Sequence, residues 1–223
     1  RVNGIIDLPI KARCHVKLKL VLSDYHRRYL DDPSLSLGSL TLLPDRVIIA
    51  FRKGERRPYE PETAISLDTN ERSLDGVFVK GGVCTPSRVL FPEVAEIQAR
   101  HHGRRRRLQK KKAHDRRTAK RLCDREGRRE RARIQYRLHQ VANAVLDFAE
   151  ENRSAVVLED LKGFSKTTRD KALNRRLSLW PRRKLHQYIE YKAAWRGVPV
   201  VKVNPYNSSR RCPTCGRIQC SRM

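Results

Sequence analysis

Two apolar runs that each end in an acid constrain the fold of this chain more than any other feature. Ala155-Val156-Val157-Leu158 runs into Glu159-Asp160 and then Leu161-Lys162-Gly163. Four apolar residues, two of them β-branched, followed by carboxylates and a glycine turn, predict a buried strand that delivers an acid to the carboxyl edge of a sheet. Open α/β sheets place their chemistry at that edge. Ala64-Ile65-Ser66-Leu67-Asp68-Thr69-Asn70 has the same form, and a long basic segment separates the two runs. An acid at a strand end can simply cap a turn. Two of them at the ends of two apolar strands predict one metal site acting on a phosphodiester.

The charge balance points the same way. Fifty Lys and Arg stand against 24 Asp and Glu, a formal net charge of +26, while 39% hydrophobic residues still allow a core. Such a chain reads as a folded basic protein with a polyanionic partner. Heparin-like surfaces and anionic lipid are weaker candidates, because the basic residues include no amphipathic helix with a strong apolar face. No apolar run approaches the ~20 residues of a spanning helix, so no membrane partner is expected. Cys14, Cys84 and Cys123 are scattered, whereas Cys212, Cys215 and Cys220 gather at the end. This is not the even pattern of a secreted disulfide framework and places the protein in a reducing compartment, cytoplasmic and nucleoid-associated when acting on DNA. The opening Arg1-Val2-Asn3-Gly4 is neither a signal peptide nor a natural start, and the chain reads as a fragment.

In order along the chain, residues 1–60 read as a β-rich module. Val16-Lys17-Leu18-Lys19-Leu20 alternates with period two, and Leu40-Thr41-Leu42 and Val47-Ile48-Ile49-Ala50-Phe51 flank the turn at Pro44-Asp45, as in a meander or small barrel with one wet face. Residues 54–61 read as a linker. The strand ending at Asp68 and the run Leu74-Asp75-Gly76-Val77-Phe78-Val79 predict an antiparallel hairpin, with Asn70 and Gly76 supplying turn chemistry. Residues 92–151 read as a long basic helical segment. Arg104, Arg105, Arg106 and Arg107, then Lys110, Lys111 and Lys112, and then Arg128 and Arg129 are candidate phosphate contacts in a stretch too poor in apolar residues to be core. Beyond them Ile134, Leu138, Val141, Val145 and Phe148 mark one apolar helix face that docks on the sheet. Residues 163–178 read as a polar, basic loop. Trp180-Pro181 opens a helix whose Leu185, Ile189 and Ala193 share a face and whose C-terminal stop is Gly197. Val198-Pro199-Val200-Val201-Lys202-Val203 reads as a strand with Pro199 at its start or at the sheet edge. Strands first and helix-linked strands afterwards describe an α/β (α+β) domain of RNase H-like type better than a Rossmann sheet. Neither usual glycine-rich phosphate loop is present.

Ile65-Ser66-Leu67-Asp68-Thr69-Asn70-Glu71, Val157-Leu158-Glu159-Asp160-Leu161, Tyr191-Lys192-Ala193 with Gly197, Val203-Asn204-Pro205 and Cys212-Pro213-Thr214-Cys215-Gly216 occur in that order. Together they resemble the TnpB (OrfB) proteins of transposons, RNA-guided DNA endonucleases related to the type V CRISPR effectors, over residues 35–216. The resemblance implies a RuvC-type nuclease domain with an RNase H-like fold at 61–204, a preceding wedge domain of β-barrel type, incomplete, at 1–60, and a partial zinc ribbon at 205–223. It maps the first catalytic acid to Asp68 and the second to Glu159. The family's third acid, an aspartate beyond the ribbon, has no counterpart before Met223, and neither does the family's helical recognition region. Guide RNA and target DNA are the implied partners.

Hydrolysing a phosphodiester requires an activated water, neutralised equatorial oxygens and a supported leaving oxygen, and two Mg²⁺ ions ~3.5–4 Å apart supply all three. Asp68 and Glu159 are the expected ligands. Asp160 points to the opposite face if its strand continues, which makes it structural. Cys212 and Cys215 have the spacing of a zinc knuckle, with Cys220 a further candidate Zn²⁺ ligand; reduced thiols without metal are the alternative. The leading expectation is therefore a Mg-dependent, RNA-guided DNA endonuclease or its core fragment. The alternatives are a nuclease-inactive RNA-guided DNA-binding protein acting as a transcriptional repressor, and a plain basic nucleic-acid-binding scaffold in which Asp68 and Glu159 lie far apart.

Overall fold

The apolar runs do form strands, and their register fixes where the acids stand. The computed structural model describes residues 4–54, 56–110, 115–160, 170, 173–174, 178–208, 212 and 215–218. The chain divides into two units at Glu55/Arg56.

In the first unit β1 (Ile5–Lys11) pairs with β2 (Cys14–Lys19), and β3 (Leu35–Leu43) pairs with β4 (Arg46–Lys53), both antiparallel, with a short helix α1 (Asp24–Leu30) between the hairpins. The expected barrel is not what the described residues form: they make two separate two-stranded sheets. The alternating patterns are real, but two short ribbons have too little facing area to bury their apolar rows, and Leu18, Leu37, Leu40 and Ile48 remain exposed. This helix is too short to show an apolar period in the sequence: it is a single pair of turns, Asp24-Tyr25-His26-Arg27-Arg28-Tyr29-Leu30, held by a capping box between Ser23 and His26.

The second unit is built on five strands in the order β7-β6-β5-β8-β9, namely Val83–Leu90, Ser73–Lys80, Thr63–Thr69, Ser154–Glu159 and Val200–Val203. β6 pairs antiparallel with both β7 and β5, while β5, β8 and β9 run parallel. The strand β7 carries no clear strand signal in the sequence. Its Val-Cys-Thr-Pro-Ser-Arg-Val-Leu carries Pro86, which only a sheet edge tolerates. Gly76 is not a turn residue: it sits within β6 opposite Leu67, where an added Cβ would lie 1.7 Å from the Ser66 carbonyl oxygen. The absence of a side chain there lets two backbones approach, the usual meaning of an interior strand glycine.

Between β7 and β8 lie α2 (Pro92–Lys110) and the long α3 (Arg116–Glu151), and between β8 and β9 lies α4 (Arg182–Arg196). The apolar face of α3 docks as its spacing predicts: Leu138, Val141 and Val145 are buried, with Ile134 and Phe148 packed around them. Leu185, Ile189 and Ala193 of α4 join the same core, which also holds Ile65, Leu67, Val156 and Leu158 of the central strands. Gly197 ends α4 with φ +77°, and its N–H donates to the Ala193 carbonyl. Residues 56–62 are not a free linker. The Arg56 N–H donates to the Ala194 carbonyl, the Tyr59 N–H to Gly197, and the Tyr59 hydroxyl sits 3.0 and 2.9 Å from the Ala149 and Ser154 carbonyls. Most of the expected loop at 163–178 lies outside the described residues.

Candidate nuclease site

Register brings the two acids together. Leu67 of β5 pairs in parallel with Leu158 of β8, so the next residues, Asp68 and Glu159, stand side by side on the face opposite those two buried leucines. Leu67 and Leu158 point into the core beneath α3 and α4, so the acids stand on the sheet's other face. Asp68 is exposed and Glu159 half-buried. Their charges interact: burial and then the Asp68 carboxylate push the Glu159 carboxyl above the usual glutamate range, against a hydrogen bond from the Ser208 hydroxyl at 3.3 Å. A carboxylate pair with this mutual repulsion is unfavourable by itself and becomes favourable when a cation neutralises it.

A third acid occupies the same row. Asp75 of β6 is the direct antiparallel partner of Asp68, but its oxygens are already engaged. Ser73 Oγ donates at 2.6 Å, Asn70 Nδ2 at 2.8 Å, and Arg88 of β7 contributes an ion pair. The Ser73 hydrogen bond first, with Arg88 and Asn70, holds the Asp75 carboxyl below its usual range. Asp75 therefore braces the β5–β6 turn. The hairpin reading puts Asp75 on the strand next to that of Asp68 without fixing their register, and nothing in the sequence marks Arg88 as its partner.

Asp160 belongs to the other face. Its N–H donates to the Val203 carbonyl at 2.8 Å, and its charge acts on His186 of α4. Beneath Asp68, the buried Thr69 hydroxyl meets His186 Nε2 at 2.7 Å. Burial first, with Lys202 and Arg182 adding to it, lowers the His186 pKa against the opposing Glu190 and Asp160 charges, so the ring stays neutral at pH 7. This contact locks β5 to α4 one residue from the acid. Its only sign in the sequence is a histidine beside Leu185 on an apolar helix face.

The basic residues are divided. Arg104 and Arg105 of α2 pair with the buried Glu126 and Glu130 of α3 and tie the two helices into an antiparallel hairpin. Arg106, Arg107, Lys110, Arg128 and Arg129 are exposed. Lys111 and Lys112 lie outside the described residues, as does Cys220. Near Cys212 and Cys215 the Gly216 N–H donates to the Cys212 carbonyl at 2.9 Å, and Gly216 has φ +68°. Among the described residues no group of three or more His, Cys, Asp or Glu is arranged to hold a metal.

The fold of this chain is shared with known proteins. Two cryo-EM structures share the fold: a Cas12f1–sgRNA–target DNA complex (TM-score 0.53, 20% identity, 78% of this chain and 43% of that one) and a CRISPR-Cas12f ternary complex (TM-score 0.57, 20% identity, 77% and 34%). The chain thus spans less than half of either. The family model described as Cas12f1-like, TNB domain, matches residues 183–223. The TnpB-like protein MJ0751 of Methanocaldococcus jannaschii is 29% identical over 218 residues, covering 95% of this chain and 78% of that protein. The CRISPR-associated endodeoxyribonuclease Cas12f1 of Syntrophomonas palmitatica is 34% identical over 82 residues, 36% of this chain and 16% of its own. The chain is thus similar to a TnpB-like protein over almost its whole length, and its C-terminal residues match the Cas12f1-like TNB domain.

Proposed function

We propose that this chain is the core of an RNA-guided DNA endonuclease, with guide RNA and target DNA as partners and a RuvC-type, RNase H-like domain at 61–204 as its cutting unit. The observation that carries the proposal is the placement of Asp68 and Glu159 on adjacent parallel strand ends, close enough that one raises the pKa of the other. The strand order, with three antiparallel strands followed by two parallel ones, supports the RNase H-like reading. So does the likeness to Cas12f structures. Residues 1–60 then take the place of the wedge domain and 205–223 that of the zinc ribbon.

The donor set fits a hard divalent cation. Two carboxylates that repel each other offer oxygen ligands, and Mg²⁺ is content with few protein ligands because it keeps several waters. Asp68 and Glu159 would hold the metal. When bound, Mg²⁺ would lower the pKa of its water and offset charge on the scissile phosphate. The remaining work falls to the chain. Thr69–His186 and the Gly76 close approach fix the height of Asp68, and Ser208 orients one oxygen of Glu159. Asp75, neutralised by Arg88, braces the turn without adding a further uncompensated charge. Cys212 and Cys215 offer two thiolates at knuckle spacing for Zn²⁺, with Cys220 as a candidate third.

The test is cleavage of a guide-matched DNA with Mg²⁺. Asp68→Ala should lower the rate by about two to three orders of magnitude, by analogy with other preorganised catalytic groups, and Glu159→Gln by a similar factor. Guide-dependent binding that survives with no cleavage by the unaltered chain would favour the nuclease-inactive reading. Cleavage untouched by Asp68→Ala would overturn the site.

A further inference from the structure

The α2–α3 hairpin encloses a cleft of about 450 Å³ that the cutting site does not use. Its apolar lining is Leu108 from α2 and Leu122 from α3, both half-buried and so its floor. Its inner wall is the buried Glu126, whose carboxylate is taken by Arg104 Nη1 at 3.1 Å and lies 2.8 Å from His101 Nδ1. Burial works to raise that carboxyl, and the Arg104 hydrogen bond with the His101 and Arg104 charges outweighs it, so Glu126 stays ionised and committed. The rim is Arg107, Arg125 and Arg129, all exposed and none ion-paired among the described residues. Helical spacing produces the arrangement: Arg104, Arg107 and Leu108 share a face of α2, and Leu122, Arg125, Glu126 and Arg129 share a face of α3.

Three guanidinium groups around a leucine floor are not a typical solvated basic surface. Planar, uncommitted arginines bind phosphate bidentately and stack on bases, and a small apolar floor suits the flat face of a nucleobase. The volume lies in the range of small-molecule sites and is too small for a duplex to enter. We propose that this cleft takes one nucleotide unit of a single-stranded polynucleotide, with the base on Leu108 and Leu122 and the flanking phosphates on Arg107, Arg125 and Arg129. The inference rests on the hairpin being a nucleic-acid surface and is independent of whether the protein cuts.

The experiment measures binding of labelled single strands by the full chain as salt is varied, with no cleavage readout. The probes are RNA and DNA of the same sequence, about 12 nucleotides long to cover one binding site, and matching strands made wholly of abasic units. Unaltered protein should bind the base-bearing strand on the order of tenfold more tightly than its abasic match. Arg125→Gln with Arg129→Gln should abolish that difference and lower the salt slope by about two. Arg116→Gln with Arg117→Gln, an equal charge change on α3 outside the cleft, should lower the slope and leave the base difference intact. Arg125→Lys with Arg129→Lys keeps charge and helix and should still reduce the base difference. RNA and DNA arms assign the strand. A base difference that survives undiminished in both cleft pairs, or that is absent from both strand types with unaltered protein, overturns the proposal.

Discussion

At the residue scale, Glu159 reports on the site without any substrate. The folded protein holds its proton more tightly than the unfolded chain does, because burial and Asp68 raise its pKa. By linkage, stability falls as pH rises from the ordinary glutamate range through the raised folded value, and above it the penalty is complete. Glu159→Gln removes the repulsion, so at neutral pH and without divalent cation the variant should melt above the unaltered protein. Adding Mg²⁺ should raise the melting temperature of the unaltered protein and leave that of the variant nearly unchanged. Thermal melts with and without Mg²⁺ decide this, and a variant that melts lower without metal would show that Asp68 does not crowd Glu159. Asp75 has the opposite sign. Its lowered pKa contributes stability that is present above the ordinary aspartate range and lost as pH falls through the folded value. Asp75→Asn should therefore flatten the acid limb of the pH–stability curve, a change that melts from pH 7 down to pH 3 would detect.

At the element scale, β6 carries the least replaceable backbone position in the sheet. A Cβ at Gly76 meets the Ser66 carbonyl oxygen at 1.7 Å and the Leu67 Cα at 3.0 Å, and neither backbone atom can rotate away. Gly76→Ala should cost about 3 kcal/mol or more, read by denaturant unfolding. It should also weaken cleavage beyond the stability loss, because Asp68 and Asp75 flank the shifted pair. Leu138→Ala, at a site with no exposure on α3, should cost ~2–5 kcal/mol and leave the acids in place. The contrast between these two positions measures what the sequence disclosed. The α3 face from Ile134 to Phe148 was legible because burial on one side of a long helix imposes a period. The ends of β5 and β8 were legible because strands buried on a sheet interior are continuous apolar runs. Register was legible only in outline, and with it the pairing of Asp75 with Asp68. Edge strand β7, the Thr69–His186 contact and the docking of residues 56–62 were not legible. Each depends on which distant segment lies alongside, and no local periodicity records that.

At the scale of the whole molecule the charge of +26 must be separated from the chemistry it surrounds. Part of it is internal. Arg104 and Arg105 hold α2 to α3 through Glu126 and Glu130, and Arg196 holds α4 to α3 through Asp147 and Glu150. Removing Arg104 or Arg105 should loosen the α2–α3 packing, because each leaves a buried carboxylate without its arginine, whereas the partners of Arg196 are exposed and its loss should cost little. Arg106, Lys110 and Arg128 are different. They are exposed, make no ion pair among the described residues and do not line the α2–α3 cleft. Substituting all three by glutamine should leave the melting temperature within about a degree or two, since surface changes of this kind stay near 0.5 kcal/mol. It should lower the salt slope of nucleic-acid binding by up to about three, one for each phosphate no longer neutralised, and weaken every target sequence alike. Binding isotherms over a salt series on two unrelated sequences test this directly. If the triple variant discriminated between the sequences while keeping the original slope, these side chains would be reading bases, and the division of the basic surface into structural, cleft and backbone-tracking arginines would fail.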